Sequence, residues 1–588
     1  MANSVKKYTN NDLAAIFERI GALLEIKGEV VFKIRAYQRA AESLRSMGED
    51  IHTVSAEGRL EAVPGVGKAI AEKIEELLET GGLEFLERLE AEVPPTLLEL
   101  LQVPDIGPRK AALVWKQLGV VDLAGLQAAA REGKLRDLPG MGEKSETRII
   151  QGIEALGRRS DRMTQGAAWS HAERWLEWLR AQPGVLRSEP GGSLRRWKET
   201  IGDLDLVAVV DLPREHDASD PVPVMENLIN HPEVARVLGQ GDVKVSVELK
   251  DGVRIQVWIT RPERFGSMWV YATGSKNHNV RIRELALKQK LSLSDRGLEK
   301  ADGEILEYAD EESLYAKLGM DWMPPEMRED RGEVELARKK KLPRLIELDD
   351  IIAELHAHTT WSDGTLSVLD MARATMAHGL KMLAITDHSA YLGVTNGIKA
   401  ERLPEQFAEI EQAREKLGPR FTLLHGIEVD ITADGTLALP DDALAKLDLV
   451  IASLHSSLRQ PREVVTKRLL DAIRNPNVDI IAHPSGRLLP NREGADLDWE
   501  AVLQATKEHG VALEINASPY RLDLNDVYAR RAIEMGIPLV INTDAHAPNG
   551  LEEARFGVAV ARRAWAGPEH VINAWPVEKI MEWIGKRP

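Results

Sequence analysis

The chain has 588 residues, of which 43% are hydrophobic and 29% charged, with a formal net charge of −17 and no cysteine. This length exceeds one hydrophobic core and predicts roughly four domains. Without cysteine there are no disulfides or thiolate metal sites, so transition metals must be held by His, Asp or Glu. The sequence has neither an apolar leader nor a run of about 18 apolar residues, so we expect a cytoplasmic protein with no membrane contact. We also expect it to act as a monomer. The acidic balance disfavours a protein that coats nucleic acid, but it allows DNA binding through local basic surfaces and backbone amides.

A short motif occurs three times within the first 155 residues. Each copy has an apolar residue, a Pro-x-x-Gly turn and a helix that is predicted to begin at once; the copies start at Val63, Val103 and Leu138. Such a turn presents the N–H groups of a helix N-terminus, where a DNA phosphate can bind without sequence readout. The third copy has Glu143 beside Lys144, which weakens its attraction for phosphate. The predicted DNA contacts are Gly65, Gly67, Lys68, Gly107, Lys110, Gly140 and Gly142.

Alternating strand patterns begin after residue 156. The stretch GGSLRRWKETIGDLDL at 191–206 joins a Gly-Ser turn and two arginines to Asp203 and Asp205. Alternation along a strand places these two carboxylates on the same face. Two carboxylates beside a turn whose N–H groups can reach a phosphate suit a Mg²⁺–triphosphate site. An Asp-x-Asp strand alone is more often a solvated face, and the turn upstream favours the functional interpretation.

Three more segments complete the first half of the chain. Strands over 243–249 and 253–259 are predicted to form a hairpin across Lys250–Gly252. A Gly-Ser turn within 271–283 then leads into a basic helix, whose position favours contact with a DNA template or base pair over a purely solvated face. Residues 326–348 are charged and lack an apolar stripe, which predicts a solvated linker.

On these motifs, residues 8–325 resemble the core of a family-X DNA polymerase. The resemblance implies a lyase-like helical domain over 1–92, fingers with two helix-hairpin-helix motifs over 93–155, a palm over 156–262 and a thumb over 263–325. It also implies a deoxynucleoside triphosphate with Mg²⁺ or Mn²⁺. Asp203 and Asp205 would be catalytic metal ligands, and Lys73 occupies the position of a Schiff-base lysine, although a solvated helix lysine is the favoured interpretation. The residues implied for the nucleotide and template are Gly192, Ser193, Arg196, Tyr271, Gly274, Asn279 and Arg283.

One position departs from the family pattern. The third catalytic Asp of the family falls in the strand after the Asp-Gly hairpin, and the residue there is Gln256. Its neighbours on that face, Arg254 and Trp258, also lack a carboxylate. A neutral amide is a poor metal ligand and a negligible base, and loss of such a group typically costs about 10²- to 10⁴-fold in rate. We therefore expect nucleotide binding to survive and nucleotidyl transfer to be weakened.

The second half, over 349–588, alternates short apolar strands with helical segments. This pattern predicts a parallel (β/α)₇ barrel, in which chemistry belongs at the C-terminal ends of the strands. The predicted strand cores are 351–355, 381–385, 421–427, 449–454, 479–482, 511–515 and 538–541.

Six histidines and three carboxylates follow these strands, and their convergence predicts a metal centre with N and O ligands that suit Mn²⁺, Zn²⁺ or Fe²⁺. The pattern resembles a PHP (polymerase and histidinol phosphatase) domain with every ligand of its three-metal site filled, which implies Mn²⁺-dependent 3′–5′ phosphodiester hydrolysis with His388 and Asp544 among the catalytic residues. Arg459, Arg487 and Arg521 are candidates for DNA phosphate contacts or ordinary surface residues. His425 within a strand and His378 within a helix are predicted to be structural. The implied metal ligands are His356, His358, Asp363, His388, Glu428, His455, His483, Asp544 and His546.

The order of these parts resembles a bacterial family-X polymerase fused to a PHP domain. The predicted fold is therefore multidomain α+β and α/β, with helix-hairpin-helix domains, a nucleotidyltransferase-like palm, a thumb and the barrel. The leading hypothesis is a DNA-repair protein that binds gapped DNA or 3′ ends and trims them in the PHP site. Three alternatives stay open: a working gap-filling polymerase with a proofreading nuclease, a non-enzymatic DNA-end scaffold, and a small-molecule phosphatase.

Overall fold

The computed structural model describes residues 8–585 except 102, 104–105, 157–161, 212–221, 392 and 394. The chain forms two compact units, residues 1–160 and 161–588. Among the described residues, none of the helices combines the length and the apolar content that a membrane span requires.

The first unit is helical in its described part. Its first helix begins with a capping box, in which Thr9 accepts from the Asp12 amide while the Asp12 carboxylate accepts from the Thr9 amide. Apolar residues on the inner faces of the helices form one core, in which Phe17 contacts Tyr37 with 6.0 Å between ring centres. The helices are α1 (Asn10–Lys27), α2 (Val31–Ser46), α3 (Ile51–Ala56), α4 (Lys68–Thr80), α5 (Glu84–Glu92), α6 (Leu97–Leu100), α7 (Pro108–Leu118), α8 (Leu123–Arg131) and α9 (Glu143–Leu156).

The second unit begins with a five-stranded sheet of order β2-β4-β7-β6-β5. The predicted hairpin is confirmed: β6 pairs antiparallel with β7, and Leu249 N donates to Val253 O at 2.8 Å. Strand β4 runs parallel to β7, with Asp205 opposite Gln256. The elements are β1 (Met163–Thr164), α10 (Gln165–Arg180), β2 (Val185–Pro190), α11 (Gly192–Arg195), β3 (Thr200–Ile201), β4 (Leu204–Val210), α12 (Pro223–Ile229), β5 (Val234–Gln240), β6 (Lys244–Leu249) and β7 (Arg254–Thr260).

Helices and a small sheet follow in the thumb region. A buried ion-pair network joins it to the palm: Arg195 and Arg328 both donate to the carboxylate of Glu311, at 2.6–2.9 Å. The elements are α13 (Phe265–Thr273), α14 (Lys276–Lys288), β8 (Ser292–Ser294), β9 (Gly297–Glu299), β10 (Ile305–Leu306), α15 (Glu311–Lys317) and α16 (Glu333–Arg338).

The prediction of a solvated linker over 326–348 is wrong for its first part. Glu333 is fully buried and its carboxylate lies 2.8 Å from Nδ1 of His278, while Val334 and Ala337 pack into the thumb core. The basic run 338–341 is exposed, and so are residues 343–344 and 347–348. The charges that suggested a solvated segment are instead satisfied by partners distant in the sequence.

The remainder of the second unit is the predicted parallel barrel, with strand order β11 to β17 following the chain. A bridge between Ala357 and Ala545 connects the first and last strands, so the barrel is nearly closed. This confirms the predicted fold class. The elements are β11 (Ala353–Ala357), α17 (Val368–Ala377), β12 (Met382–Ile385), α18 (Leu403–Leu417), β13 (Thr422–Asp430), α19 (Asp441–Leu444), β14 (Leu449–Ser453), α20 (Arg462–Ile473), β15 (Ile480–Ala482), α21 (Trp499–His509), β16 (Ala512–Asn516), α22 (Asp526–Met535), β17 (Leu539–Asn542), α23 (Ala554–Arg563) and α24 (Val577–Ile584).

Candidate active sites

The barrel strands bring all nine predicted ligands to one end of the barrel. Two of them lie earlier in their strands than the sequence predicts: Glu428 is inside β13, which continues to Asp430, and His356 is inside β11. Both differences have the same cause. The sequence prediction ended each strand at its last apolar residue, whereas in the structure the strand continues through polar residues that face the inside of the barrel.

Glu428 lies at the centre of this cluster, which we call the histidine cluster. Its Oε1 is 3.0 Å from Nε2 of His483 and 3.3 Å from Nε2 of His455. Its Oε2 is 2.7 Å from Nδ1 of His388 and 3.6 and 3.7 Å from Nε2 of His356 and His358. One carboxylate therefore contacts five imidazoles, a set of donors that would suit metal ions.

The two aspartates complete the cluster on its other side. Asp544 Oδ1 lies 3.0 Å from Nε2 of His358, and Asp363 Oδ1 lies 3.3 Å from Nε2 of His546. Three overlapping groups have ligand atoms that all lie within 4.8 Å of one another, close enough for one ion each. These groups are His358–Asp363–His388–His546, His356–His358–Glu428 and His388–Glu428–His455.

The donor chemistry of the cluster fits divalent metal ions. Burying a polar atom without a hydrogen-bond partner costs folding free energy. Such atoms nevertheless concentrate in the histidine cluster, although they lie close to one another. Imidazole and carboxylate ligands without sulfur suit Mn²⁺, Zn²⁺ or Fe²⁺. Among the described residues, the buried cluster atoms without a hydrogen bond are His356 Nε2, both ring nitrogens of His358, His388 Nδ1, Glu428 Oε2, His483 Nδ1 and Asp544 Oδ1.

Buried carboxylates hold the ligand imidazoles from behind. Glu514 Oε1 lies 2.7 Å from Nδ1 of His356, and Asp430 Oδ1 lies 2.8 Å from Nδ1 of His455. Glu514, in the sixth barrel strand, is not among the residues that the sequence motifs predict. The signal in the sequence is a charged residue, Glu514, within the otherwise apolar run 511–515 of a predicted buried strand.

Electrostatic coupling within the histidine cluster is strong. Burial lowers the pKa of His455, but Glu428 and Asp430 outweigh it and raise that pKa to about 10. For His356 too, burial is outweighed by Asp544, Glu514 and Glu428, which raise its pKa well above the usual range. Burial opposes ionisation of Glu428, yet the imidazoles of His388, His455 and His356 hold its pKa well below normal.

The three candidate arginines occupy different environments. Arg459 is exposed, and Arg521 Nε lies 3.9 Å from Asp544 Oδ2, at the edge of the cluster. Arg487 is mostly buried and donates to Glu199 of the palm at 2.8 Å and to the Arg521 carbonyl at 2.9 Å, so it joins the palm to the barrel. A phosphate contact by Arg487 would require it to leave these partners.

The two remaining histidines of interest lie outside the cluster. His425 is buried within β13, where Nε2 lies 3.0 Å from Gln406 Oε1. His378 caps the C-terminus of α17 and is exposed, one residue beyond the helix in which the sequence placed it.

The palm brings together Asp203, Asp205 and Gln256. The Gln256 amide donates to Asp203 Oδ2, and Trp258 Nε1 donates to Asp205 Oδ1 at 3.3 Å. Burial, and next the charge of Asp203, raise the pKa of Asp205 to about 7. The strand opposite the two aspartates therefore presents an amide and an indole to them.

The Gly-Ser turn approaches the palm carboxylates closely. Gly192 has φ +55°, and a Cβ there would lie 2.0 Å from Asp205 Oδ2, so only glycine fits. The amide of the preceding residue, Gly191, donates to the Asp205 carbonyl at 2.7 Å. The turn, with Ser193 half-buried at its end, is thus fixed against the strand that carries the carboxylates.

The other predicted nucleotide residues cluster around α13 and α14. Arg196 Nε donates to Glu329 at 3.1 Å, and a Cβ on Gly274 would lie 3.2 Å from its Nη1. Asn279 Nδ2 donates to the Tyr271 carbonyl at 2.9 Å, while the Arg283 guanidinium lies 5.4 Å from the Tyr271 ring centre. The structure gathers these residues near the turn, and their contact with a nucleotide stays a prediction.

In the first unit, helices begin directly after the repeated turns, as predicted. Gly67 and Gly107 are the N-cap residues of α4 and α7, and α9 begins after Gly142. Gly67, Gly107, Gly140 and Gly142 are exposed, with no other heavy atom of the described residues near the position of a Cβ. Pro104 and Asp105 of the second copy lie outside the described residues. These four glycines have the open backbone that phosphate binding needs, whereas Gly65 is half-buried and a Cβ there would lie 2.6 Å from Arg39 Cγ.

The cationic residues of the first unit differ in exposure. Lys68 is exposed at the start of α4, whereas Lys110 is half-buried with Nζ 3.5 Å from Ser145 Oγ. Lys73 is half-buried; its Nζ donates to the Ala69 carbonyl and lies 5.1 Å from the Phe85 ring centre. These contacts are those of a surface lysine, and its lyase role stays a prediction.

Comparisons with known proteins match these parts in order. Family models match as a helix-hairpin-helix domain over 8–83, a SAM-like helix-hairpin-helix tandem over 97–155, a DNA polymerase beta thumb over 268–329 and a PHP domain over 354–518. A DNA polymerase/3′-5′ exonuclease PolX of Bacillus subtilis is 39% identical over 97% of this chain and 99% of its own. A protein named probable phosphatase from Thermoanaerobacter sp. is 32% identical over 40% of this chain and 96% of its own length. The chain therefore belongs to the PolX family, the family-X DNA polymerases that carry a C-terminal PHP domain.

Proposed function

We propose that this protein acts in DNA repair in the cytoplasm, as a monomer that binds gapped DNA or 3′ ends and removes 3′ nucleotides in the histidine cluster. The observation that carries the proposal is Glu428 in contact with five imidazoles, surrounded by buried ligand atoms without hydrogen bonds. The name of the Bacillus subtilis relative, which includes a 3′-5′ exonuclease, supports the same reaction.

The nine cluster residues would hold the metal ions, with Mn²⁺ as our choice of metal. When bound, divalent ions supply Lewis-acid stabilisation of phosphate charge and activation of water. Glu514 and Asp430 orient the imidazoles of His356 and His455 through their Nδ1 atoms. Arg521, next to Asp544, is positioned to contact a DNA phosphate, and the turns of the first unit would hold the duplex by its backbone.

In the palm, Asp203 and Asp205 would hold the metal that accompanies a deoxynucleoside triphosphate. Gln256 contacts Asp203 but offers neither a negative charge nor a base for the primer 3′-hydroxyl. We therefore propose that nucleotidyl transfer is weak. The second candidate function is an active gap-filling polymerase with a proofreading nuclease, which the intact Gly192 turn and the polymerase name of the relative favour.

One substrate tests both functions: DNA with a one-nucleotide gap and a labelled 3′ end, incubated with Mn²⁺ with or without deoxynucleotides. We expect degradation of the 3′ end that His388→Ala abolishes, while His378→Ala, an exposed histidine outside the cluster, retains it. Undiminished degradation by His388→Ala would remove the proposed site. We expect Gln256→Asp to extend the primer faster than wild type, and equal extension by the two would establish the second candidate function.

A further inference from the structure

Helix α23 of the barrel presents two consecutive arginines to the segment that ends the thumb. Arg562 Nε donates to Glu326 Oε1 at 2.7 Å, and Arg563 Nη1 donates to Glu329 Oε1 at 3.1 Å. The side chains of Arg563 and Glu329 are 3% and 8% exposed, so the second pair is buried. The barrel therefore holds this segment at two points.

The second of these points is shared with the palm. Glu329 Oε1 also accepts from Arg196 Nε at 3.1 Å, so one carboxylate oxygen joins two guanidinium groups. Arg563 Nη1 donates in addition to the backbone carbonyl of Arg196 at 2.7 Å, and Arg196 Nη1 donates to the Thr273 carbonyl. A barrel residue thus contacts the main chain of Arg196 and, through Glu329, fixes its side chain.

This buried contact retains positive charge. Arg563 also pairs with Asp526 at 2.9 Å, which Arg331 contacts at 3.1 Å. The contact thus holds the cations Arg196, Lys198, Arg331 and Arg563 against the carboxylates Glu329 and Asp526, and Arg563, and next burial, lower the pKa of the Lys198 ammonium. Sharing one carboxylate between two arginines leaves Arg196 only partly neutralised, which suits an arginine that must also attract an anion.

We propose that Glu329 and Arg563 are positioning residues for Arg196, through which the PHP barrel sets the affinity of the palm for the triphosphate of a deoxynucleotide. The inference rests on the palm nucleotide site of the proposed function. Neither residue touches the nucleotide in this proposal. Their contribution is to order a long side chain before the ligand arrives, since ordering it during binding costs free energy.

The test measures binding of dGTP with Mg²⁺ to the full-length protein by calorimetry, without DNA. Arg563→Lys keeps the charge but cannot span the Arg196 carbonyl, Glu329 and Asp526 at once, and Glu329→Asp keeps the charge with a shorter reach. We expect each to raise the Kd for dGTP by about 5- to 20-fold. The control is Arg562→Lys, on the same helix and against the same segment, with an expected Kd within about twofold of wild type.

Parallel titrations with dGMP separate positioning from general damage. A misplaced Arg196 weakens dGTP more than dGMP, and adding Arg563→Lys to Arg196→Lys causes little further loss because Arg563 acts only through the Arg196 guanidinium. Retention of the wild-type unfolding transition establishes folding, and Glu329→Asp carries the test if Arg563→Lys does not fold.

Three results would overturn the inference while the palm site stands: Kd values for dGTP unchanged in both variants, an equal loss in Arg562→Lys, or equal losses for dGTP and dGMP. A wild-type protein that binds no dGTP would instead remove the proposed palm site and the inference with it.

Discussion

Glu514 offers a sharp test of how the barrel prepares its metal centre. Its Oε1 lies 2.7 Å from Nδ1 of His356, and its Oε2 accepts the backbone N–H of His483 at 2.8 Å. We predict that Glu514→Gln weakens Mn²⁺ binding while leaving the fold intact. The amide keeps the shape of the side chain but loses the charge that makes the His356 ring a stronger ligand and fixes its tautomer.

The magnitude follows from these two contacts. A hydrogen bond to a charged group contributes about 1.5–3 kcal/mol, against about 0.5–1.5 kcal/mol for a neutral pair. Losing the difference at His356 and part of it at His483 gives roughly 1.5–2.5 kcal/mol. This corresponds to a rise of about 10- to 100-fold in the Mn²⁺ concentration for half-maximal activity, the usual effect of removing a residue that orients a ligand.

The assay is degradation of a labelled 3′ end as a function of Mn²⁺ concentration. Because Glu514 is not itself a ligand, saturating Mn²⁺ should restore the wild-type rate. The control is Asp479→Asn, a buried carboxylate that accepts the Val450 amide at 2.8 Å at the opposite end of strand β15 from His483. An unchanged Mn²⁺ requirement in Glu514→Gln, or a rate that saturating Mn²⁺ does not restore, would refute this reasoning.

Three further predictions concern single side chains. Burial lowers the pKa of His425 to about 4. Because this histidine takes up its proton near pH 6.5 in the unfolded chain, its contribution to the free energy of unfolding is complete above pH 6.5 and falls by about 2 kcal/mol at pH 5. Urea unfolding at pH 7 and 5 should show a smaller loss in His425→Gln than in wild type, and equal losses would contradict the assignment. Gly192→Ala forces a Cβ to 2.0 Å from Asp205 Oδ2. We therefore expect dGTP binding, measured by calorimetry, to weaken by roughly 1–3 kcal/mol, while 3′ degradation stays unchanged. Normal dGTP binding would show that the turn tolerates a side chain. Arg328→Met removes one of the two cations around buried Glu311. We expect denaturant unfolding to show a destabilisation of about 3–5 kcal/mol. A loss under about 1 kcal/mol would show that Arg195 alone is enough to stabilise the buried Glu311 carboxylate.

The sequence predicts the barrel well because each strand is a short apolar run with polar residues at its end. His358 and His483 follow their strands directly, and His388 lies three residues after the end of β12, so the end of the strand also locates the ligand. Glu428 also follows its predicted strand core 421–427, although β13 extends past it to Asp430. Glu514 is different, since it lies inside a strand whose apolar pattern gives no reason to expect a carboxylate facing the metal centre. Only the arrangement of neighbouring strands shows which histidines the two glutamates contact.

Long-range ion pairs create environments that the sequence pattern does not show. Arg487 follows a strand as a phosphate ligand would, but its partner Glu199 is 288 residues away in the chain. Glu329 and Glu333 lie in a charged segment without an apolar stripe. They are buried because Arg563 pairs with Glu329, while His278 and the backbone amides of Asp330 and Arg331 contact the Glu333 carboxylate. Charge composition alone cannot distinguish a solvated connector from a segment whose partners lie in other domains.

The burial of residues 326–337 also determines how the chain can be divided. A polymerase half that ended near residue 325 would lose Arg328. The barrel half would carry Glu333, Val334 and Ala337 without the thumb residues that bury them in the intact chain. Both fragments would expose surfaces that the intact chain buries, so poor yield or aggregation of either would say little about its chemistry. Point substitutions in the full-length protein are the sound way to separate its activities.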